Sequence, residues 1–276
     1  MRLRQLFPPD PGGVGVDAAE AYLPPALASA RTGEVATPSG GRPWITTNMV
    51  ASVDGAMNLE GRSGGLGSAA DRTVFHTLRS MADVVMAGAG TVRTEGYGPA
   101  RLDDEYRAAR LARGQAAVPT VVVVSNSGRL GDELPLLDPE LVGDGPLPIL
   151  LTSATGATAA APLGGRVEVL VAGDTEVDLP LGLTMLAERG VVVVVCEGGP
   201  VLNGALIDGG LLDELCLTTS PLLTAGAAGR IVAGVDERLV NLELAHLLEA
   251  DGSLFARWRL LHDEHGDPPH TPSPPG

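Results

Sequence analysis

Five consecutive valines, Val191–Val195, run into Cys196-Glu197-Gly198-Gly199-Pro200 and then Val201-Leu202-Asn203-Gly204-Ala205-Leu206-Ile207. An unbroken β-branched run fits a strand covered on both faces, the habit of parallel strands lying under helices. The glycine pair ends the strand. Pro200 then falls at the first helical position, where its missing N–H costs nothing. Val201, Leu202, Ala205 and Leu206 give that helix one apolar stripe. A strand that turns through bare glycines into a helix start points unpaired N–H groups and the positive end of the helix dipole at one spot. Glu197 stands at the carboxyl end of the strand, where open α/β sheets place their ligands. The segment reads as an anion-binding turn beside an acid or, equally, as a tight connection without a ligand. It is not the Gly-x-Gly-x-x-Gly dinucleotide fingerprint, because the helix offers only Gly204 at another spacing.

Strand and helix patterns alternate along most of the chain. Strands are expected at Trp44–Ser52, Asp83–Ala87, Thr120–Ser125, Leu147–Thr152, Val167–Val171, Val191–Cys196 and Glu214–Thr219. Helices are expected at Ala69–Met81, Asp103–Arg113, Leu181–Arg189 and Pro200–Asp208. This rhythm implies right-handed crossovers and a mostly parallel sheet. Leu242–Glu249 and Leu254–Leu261, joined through Asp251-Gly252, read instead as a β-hairpin that finishes one sheet edge with antiparallel strands. Residues 1–40, rich in Pro, Gly and Ala, are expected to form a loosely packed arm, and the Pro-rich residues 263–276 a disordered tail. Residues 41–262 between them form a single expected domain.

Charge and composition narrow the function. A net charge of −15 argues against nucleic acid and anionic membrane surfaces as partners. Aromatics make up only 3% of the chain, so Val, Leu and Ala must build the core. Cys196 and Cys216 lie in apolar runs outside any metal-ligand spacing, so neither a metal site nor a disulfide framework is expected. No stretch is apolar enough for a signal peptide or a membrane span, and a cytoplasmic setting follows.

Four further segments carry polar groups next to strands or helix starts. In Asn48-Met-Val-Ala-Ser-Val-Asp54-Gly55, Asn48, Ser52 and Asp54 share one strand face, lining either a cleft or a wet edge. Gly88-Ala-Gly90-Thr91, with Arg93 close behind, lets backbone approach a ligand or simply turns the chain. Ser125-Asn126-Ser-Gly-Arg129 follows a buried strand and suits a 2′-phosphate, which would favour NADPH over NADH, or forms a surface turn. Ser68 with Asp71 matches a capping box before the stripe Val74, Phe75, Leu78 and Met81, a role that needs no ligand. The glycines that precede it would otherwise form a flap that brings Asp71 near a ligand.

Taken in order, Asn48…Ser52-Val-Asp54-Gly55, Asp71-Arg72…Leu78-Arg79, Asp83…Gly88-Ala-Gly90-Thr91-Val92, Glu197-Gly-Gly-Pro200 and Leu211-Leu-Asp213-Glu214…Pro221 resemble one family. It is the reductase domain of bacterial bifunctional riboflavin-biosynthesis deaminase-reductases, with its stand-alone relatives, the pyrimidine reductases. The resemblance spans about Trp44 to Leu260. It implies a dihydrofolate-reductase-like α/β fold, a three-layer αβα sandwich, with NADPH as hydride donor and a homodimer as the usual assembly. The implied reaction reduces the ring-opened ribosyl imine of a phosphorylated aminopyrimidine. By matching position, Gly198, Gly199, Pro200, Val201 and Leu202 would carry the pyrophosphate, and Gly88, Gly90 and Thr91 would contact the cofactor. Val50 and Glu95 would stand on the cofactor side, and Ser125, Asn126 and Arg129 would meet its adenosine phosphate. Asn48, Ser52, Asp71 and Arg101 would bind substrate, and Glu197 or Asp54 would position or protonate it.

The chain departs from that pattern in two places. The His-Ala-Glu and Pro-Cys-x-x-Cys motifs of a zinc deaminase are absent, so no deamination is expected. The family's Asp-Asp-Pro-x-Leu-Thr-x-Arg stretch is replaced by Arg93-Thr-Glu-Gly-Tyr-Gly-Pro-Ala-Arg101, with Glu95 in place of the first aspartate and Arg101 in place of the arginine. Tyr97 and its glycines change the pocket there. Two other functions therefore stay open: an NADPH-dependent reductase of a pterin such as dihydrofolate, and an NADPH-binding protein without turnover.

Overall fold

Eleven strands join in a single sheet in the computed structural model, which describes residues 1–10, 12–32, 41–131 and 133–261. They are β1 (Arg2–Phe7), β2 (Val16–Asp17), β3 (Trp44–Ser52), β4 (Val84–Gly88), β5 (Thr120–Ser125), β6 (Ile149–Thr152), β7 (Glu168–Val171), β8 (Val193–Cys196), β9 (Glu214–Ser220), β10 (Leu242–Ala250) and β11 (Ser253–Leu260). Their order is β2-β1-β10-β11-β9-β3-β8-β4-β5-β6-β7. From β9 to β7 every pairing is parallel. From β9 back to β2 every pairing is antiparallel. The helices are α1 (Ala18–Ala21), α2 (Pro25–Thr32), α3 (Ala69–Met81), α4 (Ala89–Glu95), α5 (Asp104–Ala112), α6 (Pro139–Val142), α7 (Ala154–Ala160), α8 (Leu179–Glu188) and α9 (Pro200–Asp208).

The strand period of two sorts the core into layers. Ile45, Met86, Val122, Leu151 and Val194 face α8 and α9, where Leu183, Leu186, Leu202 and Leu206 cover them. Ala87, Val121, Val123 and Leu150 point to the opposite side, against α4 and α7. On that same side, Val195 and Cys216 pack under Ala70, Val74 and Leu78 of α3. The parallel part of the sheet is thus clad on both faces, the three-layer sandwich that the family resemblance implies. Val193, Val194 and Val195 are at most 1% exposed, and burying each contributes roughly 1.5–3 kcal/mol. Val191 and Val192 precede the strand proper, and Val192 is 41% exposed.

The antiparallel side corrects the reading of residues 1–40. A loosely packed arm was expected, yet β1 pairs with β10, Leu3 is fully buried, and Tyr22 packs edge-on against His246 at 5.0 Å. The reason is the hairpin: without β1, β10 would present a row of unpaired backbone groups to solvent. The hairpin therefore lies inside the sheet, and β2 forms its edge. Its turn is as expected, with Asp251 and Gly252 both at positive φ (51° and 77°), the two-residue turn that matches strand twist. Residues 33–40 and 263–276 lie outside the described residues. Ala89–Glu95, read as a turn from the sequence, closes into the short helix α4, and Ala154–Ala160 forms α7 behind its Ser153 cap.

A buried ion pair ties the two halves of the sheet to the N-terminal segment. Arg257 donates to Glu214 through Nε (3.1 Å) and Nη2 (2.8 Å), and through Nη1 to the Ala21 carbonyl (2.8 Å). Glu214 is 1% exposed, so removing its partner leaves a charge in the interior. Arg257→Met should lower unfolding free energy by about 3 kcal/mol or more in urea titration.

Candidate functional site

Two turns meet at the carboxyl edge of the parallel strands. The Gly88 N–H donates to the Gly198 carbonyl (2.8 Å), which holds the β4–α4 turn against the β8–α9 turn. Gly88 caps α4 and Gly199 caps α9, and neither supplies a side-chain hydrogen bond, so the first-turn N–H groups of both helices stay free for a ligand. A Cβ on Gly199 would lie 2.5 Å from Thr91 Oγ1, whereas one on Gly90 would meet open space. Glycine at 199 allows Thr91 into the cradle, and glycine at 90 leaves room beside it. Gly198 has φ +85°, in the region that favours glycine. Leu202 and Asn203 are buried under this turn, while Val201 is exposed.

Next to the cradle Glu197 is held by three donors. Arg79 of α3 donates from Nε to Oε1 (2.7 Å) and from Nη2 to Oε2 (2.8 Å), a bidentate pair. The Tyr97 hydroxyl donates to Oε2 at 2.7 Å. The guanidinium lies over the Phe75 ring, 4.2 Å from its centroid. Burial, and then the charge of Glu197, push the Tyr97 phenol well above its ordinary pKa, so it remains a donor. The backbone aims this ring: Gly96 ends α4 in a left-handed conformation, the Tyr97 N–H donates to Val92, and the Tyr97 carbonyl accepts from Leu136.

Asn48 and Val50 lie on the α3 side of β3, since Ile45 faces the α8–α9 layer and Met49 lies beside Gly198. Across from Val50 stands Thr218, which hydrogen-bonds Asp71 of α3. The Ser68 hydroxyl accepts from the Asp71 N–H (3.1 Å), so the cap forms as expected, while the Asp71 carboxyl turns to the sheet. Burial raises the Asp71 pKa above the usual carboxylate value. Asp71, Asn48, Val50 and Glu197 therefore all lie on the α3 side of the sheet. Asp54 is elsewhere: exposed beyond the end of β3, it accepts from the Ser52 hydroxyl and from the N–H groups of Thr224 (3.1 Å) and Ala225 (2.9 Å). These bonds, the Ser52 hydroxyl first, hold its pKa down to about 2.

The remaining expected residues occupy the same sheet edge or its flank. Ser125 is buried at the end of β5, Asn126 Oδ1 accepts from the Val177 N–H (2.9 Å), and Arg129 is exposed. Glu95 accepts from the Ser63 N–H (2.9 Å) and so pins the glycine-rich loop before α3. Arg101 is exposed at a cavity of about 370 Å³ whose wall includes His76, Arg79 and Tyr97. It also lines a larger groove of about 630 Å³ near the amino ends of β5 and β6, away from the glycine turns. Among the described residues no group of three or more His, Cys, Asp and Glu side chains could hold a metal ion, and no helix is long and apolar enough to cross a membrane.

Arg79, Tyr97, Thr218 and Asn203 complete this site without having been singled out as site residues from the sequence. Arg79 follows Phe75 by one helical turn, which places both on one side of α3, and Tyr97 sits between two glycines. Those spacings are the only local signals they carry. Arg79→Met leaves the Glu197 charge buried with the Tyr97 hydroxyl as its remaining side-chain donor and should cost about 3 kcal/mol of stability in chemical denaturation. Tyr97→Phe removes one hydrogen bond to a charged acceptor and should cost about 1.5 kcal/mol.

The chain is similar to known proteins over most of its length. Residues 43–254 match the profile of the RibD C-terminal domain family. The 2,5-diamino-6-ribosylamino-4(3H)-pyrimidinone 5′-phosphate reductase of Methanothermobacter thermautotrophicus is 29% identical over 208 residues, covering 74% of this chain and 91% of that protein. A pyrimidine reductase-like protein of Corynebacterium diphtheriae superposes with a TM-score of 0.72 at 25% identity, covering 83% of this chain and 96% of its own. The riboflavin biosynthesis reductase Rib7 of Saccharomyces cerevisiae shares the fold, with a TM-score of 0.65 at 17% identity over 87% of this chain and 99% of its own. With a profile match over most of its length, the chain belongs to the RibD C-terminal domain family.

Proposed function

We propose that the chain is an NADPH-dependent reductase that delivers hydride to the C=N carbon of a ring-opened ribosylamino-pyrimidine phosphate. The observation that carries this reading is the convergence, at one sheet edge, of a glycine cradle with free helix N–H groups and two acids on the α3 side of the sheet, Asp71 and Glu197. Relatives named as pyrimidinone phosphate reductases support the substrate class. A homodimer in the cytoplasm is the proposed setting, on the strength of the family resemblance.

The residues fit a dinucleotide. Gly199 and the first turn of α9 offer free N–H groups and a positive dipole end to a pyrophosphate, with Gly198 making the turn beside them. The open space at Gly90 leaves room for the ligand, and Thr91 brings a hydroxyl to its edge. Ser125, Asn126 and the exposed Arg129 lie along the same edge for an adenosine 2′-phosphate. When bound, the reduced nicotinamide supplies the hydride.

The chain's own groups do the rest. Asn48 and Asp71 face the amide and amine edge of a planar heterocycle. Asp71, its pKa raised by burial, keeps a proton to higher pH than an exposed carboxylate and passes it to the imine nitrogen as hydride reaches the carbon. Its carboxylate then regains a proton from solvent. Glu197 is already saturated by Arg79 and Tyr97, so it acts as a fixed acceptor for a substrate hydroxyl or N–H. Holding the reacting groups in register is the larger part of the rate.

Two measurements test this reading. NADPH oxidation should be fast with the ribosylaminopyrimidine phosphate and slow with dihydrofolate; the reverse preference would assign the cleft to pterins, and binding without oxidation of either would remove the catalytic reading. The pH profile tests Asp71. Its raised pKa means the proton is held at low pH, so kcat/KM should fall as pH rises through that pKa. In Asp71→Asn the rate should drop about 100-fold and lose that slope.

A further inference from the structure

Asp54 is fully engaged in something other than the cleft. Its two carboxylate oxygens accept the Thr224 and Ala225 N–H groups, at the near end of a segment that leaves β9 and crosses to α9. Along that segment the Leu222 carbonyl accepts from the Val53 N–H (2.9 Å) and the Gly229 carbonyl from the Met57 N–H (3.3 Å). At its far end the Ile231 carbonyl accepts from Asn203 Nδ2 (2.8 Å), and the Ala233 N–H donates to the Pro200 carbonyl (3.0 Å). Asn203 is 1% exposed, so its amide is a fixed post. The approach is close: a Cβ on Gly204 would lie 2.2 Å from the Ala233 carbonyl oxygen, and one on Gly234 3.2 Å from the Val201 side chain. The segment is therefore fastened at both ends, and the far end lies on the first turn of α9.

We propose that Leu222–Gly234 is a clasp that sets how long the cofactor stays on the α9 turn, with Asp54, Asn203 and Gly204 as its positioning residues. The proposal rests on the cofactor assignment above and gives Asp54 a role in place of proton transfer. A carboxylate that accepts two backbone N–H groups and a hydroxyl, and whose pKa is held near 2, carries no proton at neutral pH. The clasp has few buried contacts between its two anchors, and segments of that kind open first and gate ligand release. Asp54 bonds Ser52, Thr224 and Ala225, and Asn203 bonds Ile231, rather than Asp71 or Glu197, so loosening the clasp should alter residence of the cofactor before it alters chemistry.

Two substitutions in the full chain attack the anchors independently. Asp54→Asn turns one acceptor into a donor facing an N–H. Gly204→Ala pushes on the Ala233 carbonyl while favouring the helix it sits in, since Ala is the better helix former. Stopped-flow displacement of bound NADPH should show release about 10-fold faster in both variants, with single-turnover chemistry within about 2-fold of wild type. Limited proteolysis without NADPH should show cleavage within 222–234 accelerated in both. Wild-type release rates in the two variants would overturn the clasp. Unchanged release with a large loss of single-turnover rate in Asp54→Asn alone would return Asp54 to the chemistry. A wild-type protein that binds no NADPH would instead overturn the cofactor assignment itself.

Discussion

A carboxylate at the end of a fully buried strand has to be answered by positive charge or hydrogen bonds, and the answer to Glu197 organises the site. Arg79 reaches it from α3 and Tyr97 from the segment after α4, so one acid joins three elements around the cleft. Because Glu197 is 8% exposed, most of its solvation comes from these two side chains rather than from water. The same contacts set its chemistry. Arg79 and Tyr97 fix both carboxylate oxygens in place, so in the proposed reaction Glu197 is a held acceptor and Asp71 the acid.

The cradle beside it follows from strand direction. Parallel strands bring all their carboxyl ends, and the starts of the helices that follow, to one edge. At β4 and β8 those helix starts carry glycine where a capping side chain would otherwise sit, so the backbone itself is the surface on which the proposed cofactor would rest. In a chain of net charge −15, local N–H groups are a way to hold an anionic cofactor against the overall field. The antiparallel half does a different job: it closes the sheet on β10 and β11 and positions β9, whose Thr218 meets Asp71.

How much of this was legible depended on how local the signal was. The valine run, the Gly-Gly-Pro turn, the Ser68 cap and the Asp-Gly hairpin declare themselves within a few residues, and each formed as read. The N-terminal strand did not, because its Pro and Gly content resembles a linker and its reason for folding lies in the exposed edge of β10, more than two hundred residues away in the chain. Arg79 and Glu197 are 118 residues apart, so no spacing rule links them. From its strand face, Asp54 reads as lining either a cleft or a wet edge. Past the end of β3 the chain turns, that periodicity lapses, and the side chain meets the segment after β9.

In the proposed reaction hydride passes from the cofactor to an imine carbon on the α3 side of the sheet. Turnover of the ribosylaminopyrimidine phosphate with NADPH deuterated at nicotinamide C4, followed by mass spectrometry of the product, tests that transfer. The product should be heavier by about one mass unit, with the deuterium on the former imine carbon. A product formed without deuterium from either face of the nicotinamide, or label found on the pyrimidine ring instead, would contradict it.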